Sequence, residues 1–318
     1  MKKRAMLLIA MLVIGIGIVS GQAAPKPANG KKFNIVLIVK DLTNPFFTDM
    51  RDGGAAAAKK YGVDITCLSP EKYTVDAQIR IMEDMIEKKV DAIVIAPIDS
   101  NGIVSGVERA NAAGIPVMAC NTAILGGKLL GFAGIDEISS GKSLGEYFVK
   151  RLNGKGNIVI LEGTTGSSTA QAYLNGVHEA IDKYPDIKVL ASTTAKYNRE
   201  MGMQVMEDLL TRFPDIDAAL CMNDVMALGA KEAVQEARRK VLIGGINALP
   251  ETLEAVKRGE IEVTVDASGY VQAYIATELT CKYLLTGEIP PAVTKIGIGN
   301  AQAISAANID QFLKSRAK

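Results

Sequence analysis

At 318 residues the chain exceeds what one hydrophobic core usually supports, so two domains are expected, and 48% apolar with 22% charged residues is the composition of a globular protein. Thirty-six basic against 35 acidic side chains leave a formal charge of +1, which offers no electrostatic pull on nucleic acid. One histidine, His178, and four scattered cysteines without a Cys-x-x-Cys pair make a metal centre improbable, and no metal and no cofactor are expected.

Lys2-Lys3-Arg4 is followed by an uninterrupted apolar run from Ala5 to Val19 and by small residues at Gly21-Gln22-Ala23-Ala24. The run is about 15 residues and a bilayer span takes about 20. Residues 1–24 are therefore expected to be a cleaved secretory signal peptide, with an uncleaved membrane anchor as the alternative. No cysteine stands at the cleavage region, which favours a free periplasmic protein over a lipid-anchored one. Cleavage would leave 33 basic and 35 acidic side chains, a net charge of −2. Export permits disulfides, yet Cys67, Cys120 and Cys221 each end an apolar strand pattern; with Cys281 they are expected to be free and mostly buried.

Residues 25–32, rich in Pro, Gly, Asn and Lys, read as a flexible lead. From Phe33 short apolar runs alternate with longer helical patterns, the signature of βαβ units around a parallel sheet. Strands are expected at 33–40, 63–68, 91–97, 115–120 and 129–134, and helices at 45–61, 74–89 and 100–113. The scheme repeats from about Ser139, with strands at 157–162, 187–193, 217–222, 241–246 and 261–266 and helices at 139–152, 168–184, 198–213, 224–238 and 249–258. Two successive α/β halves of similar length suggest two similar lobes facing one cleft. Tyr270 to Leu285 then reads as a helix, 287–291 as a connector and 294–298 as a last extended piece that could cross back between the lobes.

The first strand ends in Lys40-Asp41-Leu42-Thr43-Asn44-Pro45-Phe46-Phe47. Asn44 is a good N-cap and Pro45 suits the first helical position. Helical neighbours lie about 100° apart, so Phe46 and Phe47 cannot both face the core from one turn. Either one packs inward while the other covers a partner surface, or they form an apolar wall for a ligand beside Lys40 and Asn44.

Two motifs suggest an enzyme and fail on context. Gly141-Lys142-Ser143-Leu144-Gly145 matches a nucleophile elbow, but an amphipathic pattern of Leu144, Tyr147, Phe148 and Leu152 runs through it, and no aspartate lies between Ser143 and His178. As a phosphate loop it has Asp136 where a glycine is required. Gly163-Thr164-Thr165-Gly166-Ser167-Ser168 could hold an anion on its N–H groups, yet it lacks the lysine and third glycine of nucleotide fingerprints and reads as a polar cleft loop. The chain is not expected to be an enzyme.

What stands out is the set at the carboxyl ends of strands, where open α/β sheets place ligands: Lys40, Asn44, Asn121, Thr122, Gln171, Tyr197, Asn223, Asp224, Asn247 and Asp266. Amides dominate, and an amide donates and accepts as a sugar hydroxyl does. Asp224 is read as a helix cap.

Thr43-Asn44-Pro45-Phe46-Phe47, Ala96-Pro97-Ile98-Asp99-Ser100, Gly114-Ile115-Pro116-Val117, Asn223-Asp224-Val225-Met226-Ala227-Leu228-Gly229-Ala230 and Val265-Asp266, in this order, resemble the periplasmic sugar-binding proteins of the ribose-binding type, the solute receptors of ABC importers. The resemblance covers about residues 33–300. It implies an α/β fold of two Rossmann-like lobes with parallel sheets, joined by a three-crossover hinge around a central cleft: a type I periplasmic binding protein. The lobes would be residues 33–135 with 267–292, and 136–266 with 293–318. It also implies an ABC permease as partner, a possible chemoreceptor partner and a monomer.

Carried over residue by residue, Asn44, Phe46, Phe47 and Asn223 agree with ribose-type receptors, Tyr197 stands for an aromatic Phe, and Lys40 is similar to the lysine of allose-type and autoinducer-2-type receptors. The charged clamps depart: Asn121-Thr122 stand for Asp-Arg, Gln171 for Arg, Asn247 for Asp and Ala267 for Gln. Hydrogen bonds to charged partners contribute about 1.5–3 kcal/mol against about 1 for neutral ones, so these losses argue against ribose. The expected ligand-binding set is Lys40, Asn44, Phe46, Phe47, Asn121, Thr122, Gln171, Tyr197, Asn223, Asn247 and Asp266, around a small neutral sugar or polyol; the alternative is an autoinducer-2-like furanone or a nucleoside.

Overall fold

The structure is a computed structural model describing residues 32–297 and 301–316, so the expected signal peptide and residues 25–31 of the expected lead lie outside the described residues. The first half runs β1 (Asn34–Ile38), α1 (Pro45–Tyr61), β2 (Asp64–Leu68), α2 (Val75–Glu87), β3 (Ala92–Ile95), α3 (Val104–Ala112), β4 (Val117–Cys120) and β5 (Gly131–Ile135). The second runs α4 (Glu137–Arg151), β6 (Gly156–Glu162), α5 (Ser168–Ile181), β7 (Ile187–Thr194), α6 (Arg199–Arg212), β8 (Ala218–Cys221), α7 (Asp224–Glu236), β9 (Leu242–Asn247), α8 (Pro250–Lys257) and β10 (Val263–Asp266). Then come α9 (Gly269–Thr286), β11 (Val293–Ile296), β12 (Ala303–Ser305) and α10 (Ile309–Arg316).

Two six-stranded sheets result, ordered β11-β5-β4-β3-β1-β2 and β12-β10-β9-β8-β6-β7, with β12 antiparallel and every other pairing parallel. Central strands such as Ala92–Ile95 and Ala218–Cys221 are buried along their whole length, as helices on both faces require. The chain passes between the sheets three times: after β5, after β10 and after β11.

The expected lobe boundary at 292 is corrected by the pairing. Val293–Ile296 lies in the first sheet, opposite Phe132–Ile135, because β5 needs a neighbour to take its outer hydrogen bonds, starting with Phe132 N to Ala292 O at 3.0 Å. The expected helix at 100–113 begins at Val104, since Asp99 Oδ1 first accepts the N–H groups of Asn101 at 2.9 Å and Gly102 at 2.7 Å in a turn. β12 and α10 were not anticipated.

The Gly141–Gly145 motif is a packing device. Both glycines lie in α4 where it crosses α5: a Cβ at 141 would strike the Tyr173 carbonyl, and one at 145 the Ala180 side chain and Val177 backbone. All four cysteines are free, and burial pushes Cys67 up to about 11 and Cys120 and Cys281 up to about 12. Among the described residues no helix is long and apolar enough to cross a membrane.

Candidate functional site

Carboxyl ends of both sheets meet at a cavity lined from the first lobe by Lys40, Asn44, Phe46, Phe47 and Asn121, and from the second by Thr169, Tyr173, Tyr197, Met222, Asn223 and Asn247. Its free volume is about 30 Å³. A larger cavity, about 410 Å³, opens at the rim between Leu125 and the 163–168 loop. The smaller one gathers the aromatic faces, the lysine and the amides of both lobes, and it has the donor set of a ligand site.

Lys40 leaves β1 and is 2% exposed. Its Nζ donates to Thr122 Oγ1 at 2.8 Å and sits 5.9 Å from the Phe47 ring centre and 5.8 Å from that of Tyr197, one aromatic face from each lobe. Among the described residues no carboxylate lies within salt-bridge distance of it. Burial without a counter-ion pulls its pKa down to about 7.

Asn44 caps α1, its Oδ1 accepting the Phe46 N–H at 3.1 Å, and Pro45 follows at the first helical position. Phe46 and Phe47 pack edge to face, with ring centres 5.2 Å apart, and each is only 5% exposed. The expectation that one turn could not bury both is corrected. Val225 and Leu249 of the second lobe join the same apolar cluster, so the closed cleft covers the face that the first lobe leaves bare. Asn121, held at φ 63°, donates from Nδ2 to Gln272 Oε1 at 3.3 Å, and Gln272 donates to Ala267 O at 3.2 Å, which ties the cavity floor to a hinge crossing.

On the opposite wall Asn223 caps α7, accepting the Met226 N–H at 2.9 Å. Asp224 is therefore not the cap. Its carboxylate accepts the Leu249 N–H and the Thr264 hydroxyl, and burial raises its pKa to about 6. Tyr197 has φ 58°, and its hydroxyl, enclosed beside Gly163, makes no hydrogen bond; burial pushes it well above its ordinary value.

Eight of the eleven expected residues line the cavity: Lys40, Asn44, Phe46, Phe47, Asn121, Tyr197, Asn223 and Asn247. Three do not. Thr122 is fully buried behind Lys40, its hydroxyl shared with Asn121 Oδ1 and Thr169 Oγ1. Gln171 is exposed, donates to Asn175 Oδ1 at 2.8 Å and faces the rim cavity, because α5 turns Thr169 and Tyr173, four residues apart, into the cleft instead. Asp266 lines a separate hinge cavity with Asp136, Ser140 and Ser268. Thr169, Tyr173 and Met222 were missed; the helical spacing of the first two was the available signal.

The lobes are joined across the cleft mouth by hydrogen bonds of their own. Ser100 N donates to Gly166 O at 3.1 Å, Ser168 N to Ser100 Oγ at 3.0 Å, and Ala123 N to Ser168 Oγ at 3.1 Å. His178, the one histidine of the sequence, lies on the surface of α5 beside Asp182, away from this cavity.

A family model described as a periplasmic binding protein domain matches residues 35–289. The chain belongs to the periplasmic binding protein family. It is 32% identical over 256 residues to the ribose import binding protein of Bacillus subtilis, covering 80% of this chain and 83% of that one. It is 32% identical over 292 residues to the xylitol-binding protein of Mycolicibacterium smegmatis, covering 89% and 83%. A crystal structure of an ABC transporter periplasmic solute-binding protein from Actinobacillus succinogenes with bound D-allose superposes at TM-score 0.81, with 30% identity, covering 88% of this chain and 100% of that one. These ribose-type relatives are solute-binding proteins, and the chain is likewise a type I periplasmic binding protein and not an enzyme.

Proposed function

We propose that the protein is a periplasmic receptor that captures a small neutral sugar or polyol other than ribose by hinge closure and delivers it to an ABC importer. The observation that carries this reading is the cavity lining: four asparagines, Asn44, Asn121, Asn223 and Asn247, contributed by both lobes around the Phe47 and Tyr197 faces. Amides match hydroxyls that donate and accept, aromatic faces match the apolar side of a sugar ring, and no carboxylate or arginine lines the wall. Relatives named for ribose and xylitol, and one with bound D-allose, support the class of ligand. Against ribose stand Asn121-Thr122 and Asn247, where the resemblance implies charged clamps, and Ala267, where it implies an amide.

A space of about 30 Å³ holds little more than one water, so a sugar enters only when the lobes part and is held when they close on it. Delivery after cleavage of the signal peptide, as a monomer docking on a permease and in some settings on a chemoreceptor, belongs to the same proposal. A second reading, a furanone of the autoinducer-2 type or a nucleoside, rests on Lys40, a buried cation without a carboxylate. A thermal-shift screen of pentoses, hexoses and alditols tests the first reading, with about 2.7 kcal/mol of stabilisation expected at 100 times the dissociation constant. A furanone or nucleoside identified by mass spectrometry in the purified protein, with no shift from any sugar or polyol, would sink it.

A further inference from the structure

Asp224 is fully buried beside the cleft, and among the described residues no cation pairs with it. Its Oδ2 accepts the Leu249 N–H at 2.8 Å, and its Oδ1 accepts the Thr264 hydroxyl at 2.7 Å. Thr264 Oγ1 in turn accepts the Ala248 N–H at 3.1 Å. One carboxylate thus holds, directly and through one hydroxyl, the two successive amides that follow Asn247. Gly245 makes room for it, since a Cβ there would overlap the carboxylate.

The turn being held is a strained one. Asn247 has φ 137° and Ala248 φ 54°, two consecutive non-glycine residues in a backbone region that L side chains rarely adopt. Such a conformation persists only where its surroundings over-determine it. An acceptor with two lone-pair-bearing oxygens is what two converging donors require. An amide at 224 would turn its NH2 toward the Leu249 N–H, or toward Thr264 and leave that hydroxyl's proton without its acceptor.

We propose that Asp224 is a positioning residue for ligand recognition: by fixing the 247–249 turn it presents Asn247 to the cleft beside Asn223, without touching the ligand itself. The ligand half of this statement rests on the sugar-receptor reading; the turn half does not. Asp224 is the residue that Asn223 leaves over when it takes the helix cap, so the Asn-Asp pair divides two tasks, capping at the cavity wall and holding the neighbouring turn.

The test has two arms, using Asp224→Asn and, as a second variant that keeps the side-chain shape, Thr264→Val. In the ligand-free full chain, hydrogen exchange at Ala248 and Leu249 is expected to accelerate by about tenfold in both variants while strand 156–162 is unchanged. Unchanged exchange at 248 and 249, or acceleration spread over the whole lobe, overturns the proposal. In the second arm, D-allose affinity is measured by calorimetry for Asp224→Asn, Asn247→Ala and the double variant. The double variant is expected to bind no more weakly than Asn247→Ala alone; losses that simply add mean that Asp224 does not act through Asn247 and overturn the proposal. Where D-allose does not bind, the same three variants are measured with the sugar or alditol that shifts the wild-type melt most; if no pentose, hexose or alditol shifts it, the sugar-receptor reading fails, and the exchange arm alone decides whether Asp224 holds the turn.

Discussion

Lys40 Nζ donates to Thr122 Oγ1 at 2.8 Å, and that same hydroxyl meets Thr169 Oγ1 across the cleft at 2.9 Å. The cation of the site therefore comes from the end of β1 and rests on Thr122, the position at which the resemblance to ribose-type receptors implies an arginine. Thr122 is fully buried, so an arginine there must expel Lys40 or leave two cations in one dry space. Asn121→Asp with Thr122→Arg should lower the melting temperature sharply, and adding Lys40→Met should recover most of the loss and admit ribose. Calorimetry with ribose and a thermal melt check it; a stable double variant with Lys40 intact would refute the packing argument.

The same lysine gives stability a pH dependence. Its folded pKa is about 7 against an ordinary 10.5, so between these values the unfolded chain binds more protons and stability rises with pH. Asp224 works in the opposite sense over a lower window: its folded pKa is about 6 against 3.8, and stability from this group falls as pH rises through that interval. Lys40→Met should remove the rise above pH 7, an effect of up to several kcal/mol in the unfolding free energy from denaturant melts at a series of pH values. An identical slope in the variant would mean that Lys40 stays charged when folded.

Much of this was legible because buried parallel strands are written as continuous β-branched runs, Ile35–Val39 and Ile158–Leu161 among them, and because every such strand points its carboxyl end at one cleft. That rule found Lys40, Asn44, Asn121, Asn223 and Asn247 without knowledge of any contact. It failed where a second geometry intervened. Thr122 follows Asn121 on a bent chain with φ 63° and turns behind the wall, and Gln171 sits in a helix whose phase spacing alone did not fix. The sheet that claims Val293–Ile296 was equally hidden, since its pairing with β5 is a contact between residues some 160 apart, to be read only in three dimensions.

Closure across the cleft mouth depends on Gly166. It has φ 87°, and a methyl group there would sit inside the Asp99 carboxylate of the other lobe. Gly166→Ala should hold the lobes apart, raising the radius of gyration of the ligand-free protein in X-ray scattering and weakening ligand binding by about tenfold or more, although position 166 lies outside the cavity. Ser100→Ala, which removes one cross-lobe acceptor, should act in the same direction and less. Equal scattering curves and equal affinities would show that these contacts do not set the open-closed balance.

Asn44 carries two tasks that a single substitution can separate. Its Oδ1 caps α1, and its amide group borders the cavity beside Phe47. Serine keeps the cap, whose loss to alanine would cost about 1 kcal/mol of stability. It carries no amide N–H group to offer the cavity. Asn44→Ser should therefore leave the melting temperature of the ligand-free protein nearly unchanged while lowering ligand affinity by about tenfold, the scale of one hydrogen bond lost from a buried pair. Asn44→Ala should lose both. Phe47→Ala should lose affinity and stability together, because the ring belongs to the cluster that Val225 and Leu249 close over. If Asn44→Ser binds the ligand as tightly as the wild type, the residue serves the helix start alone and the first lobe's contribution rests on Lys40 and the two rings.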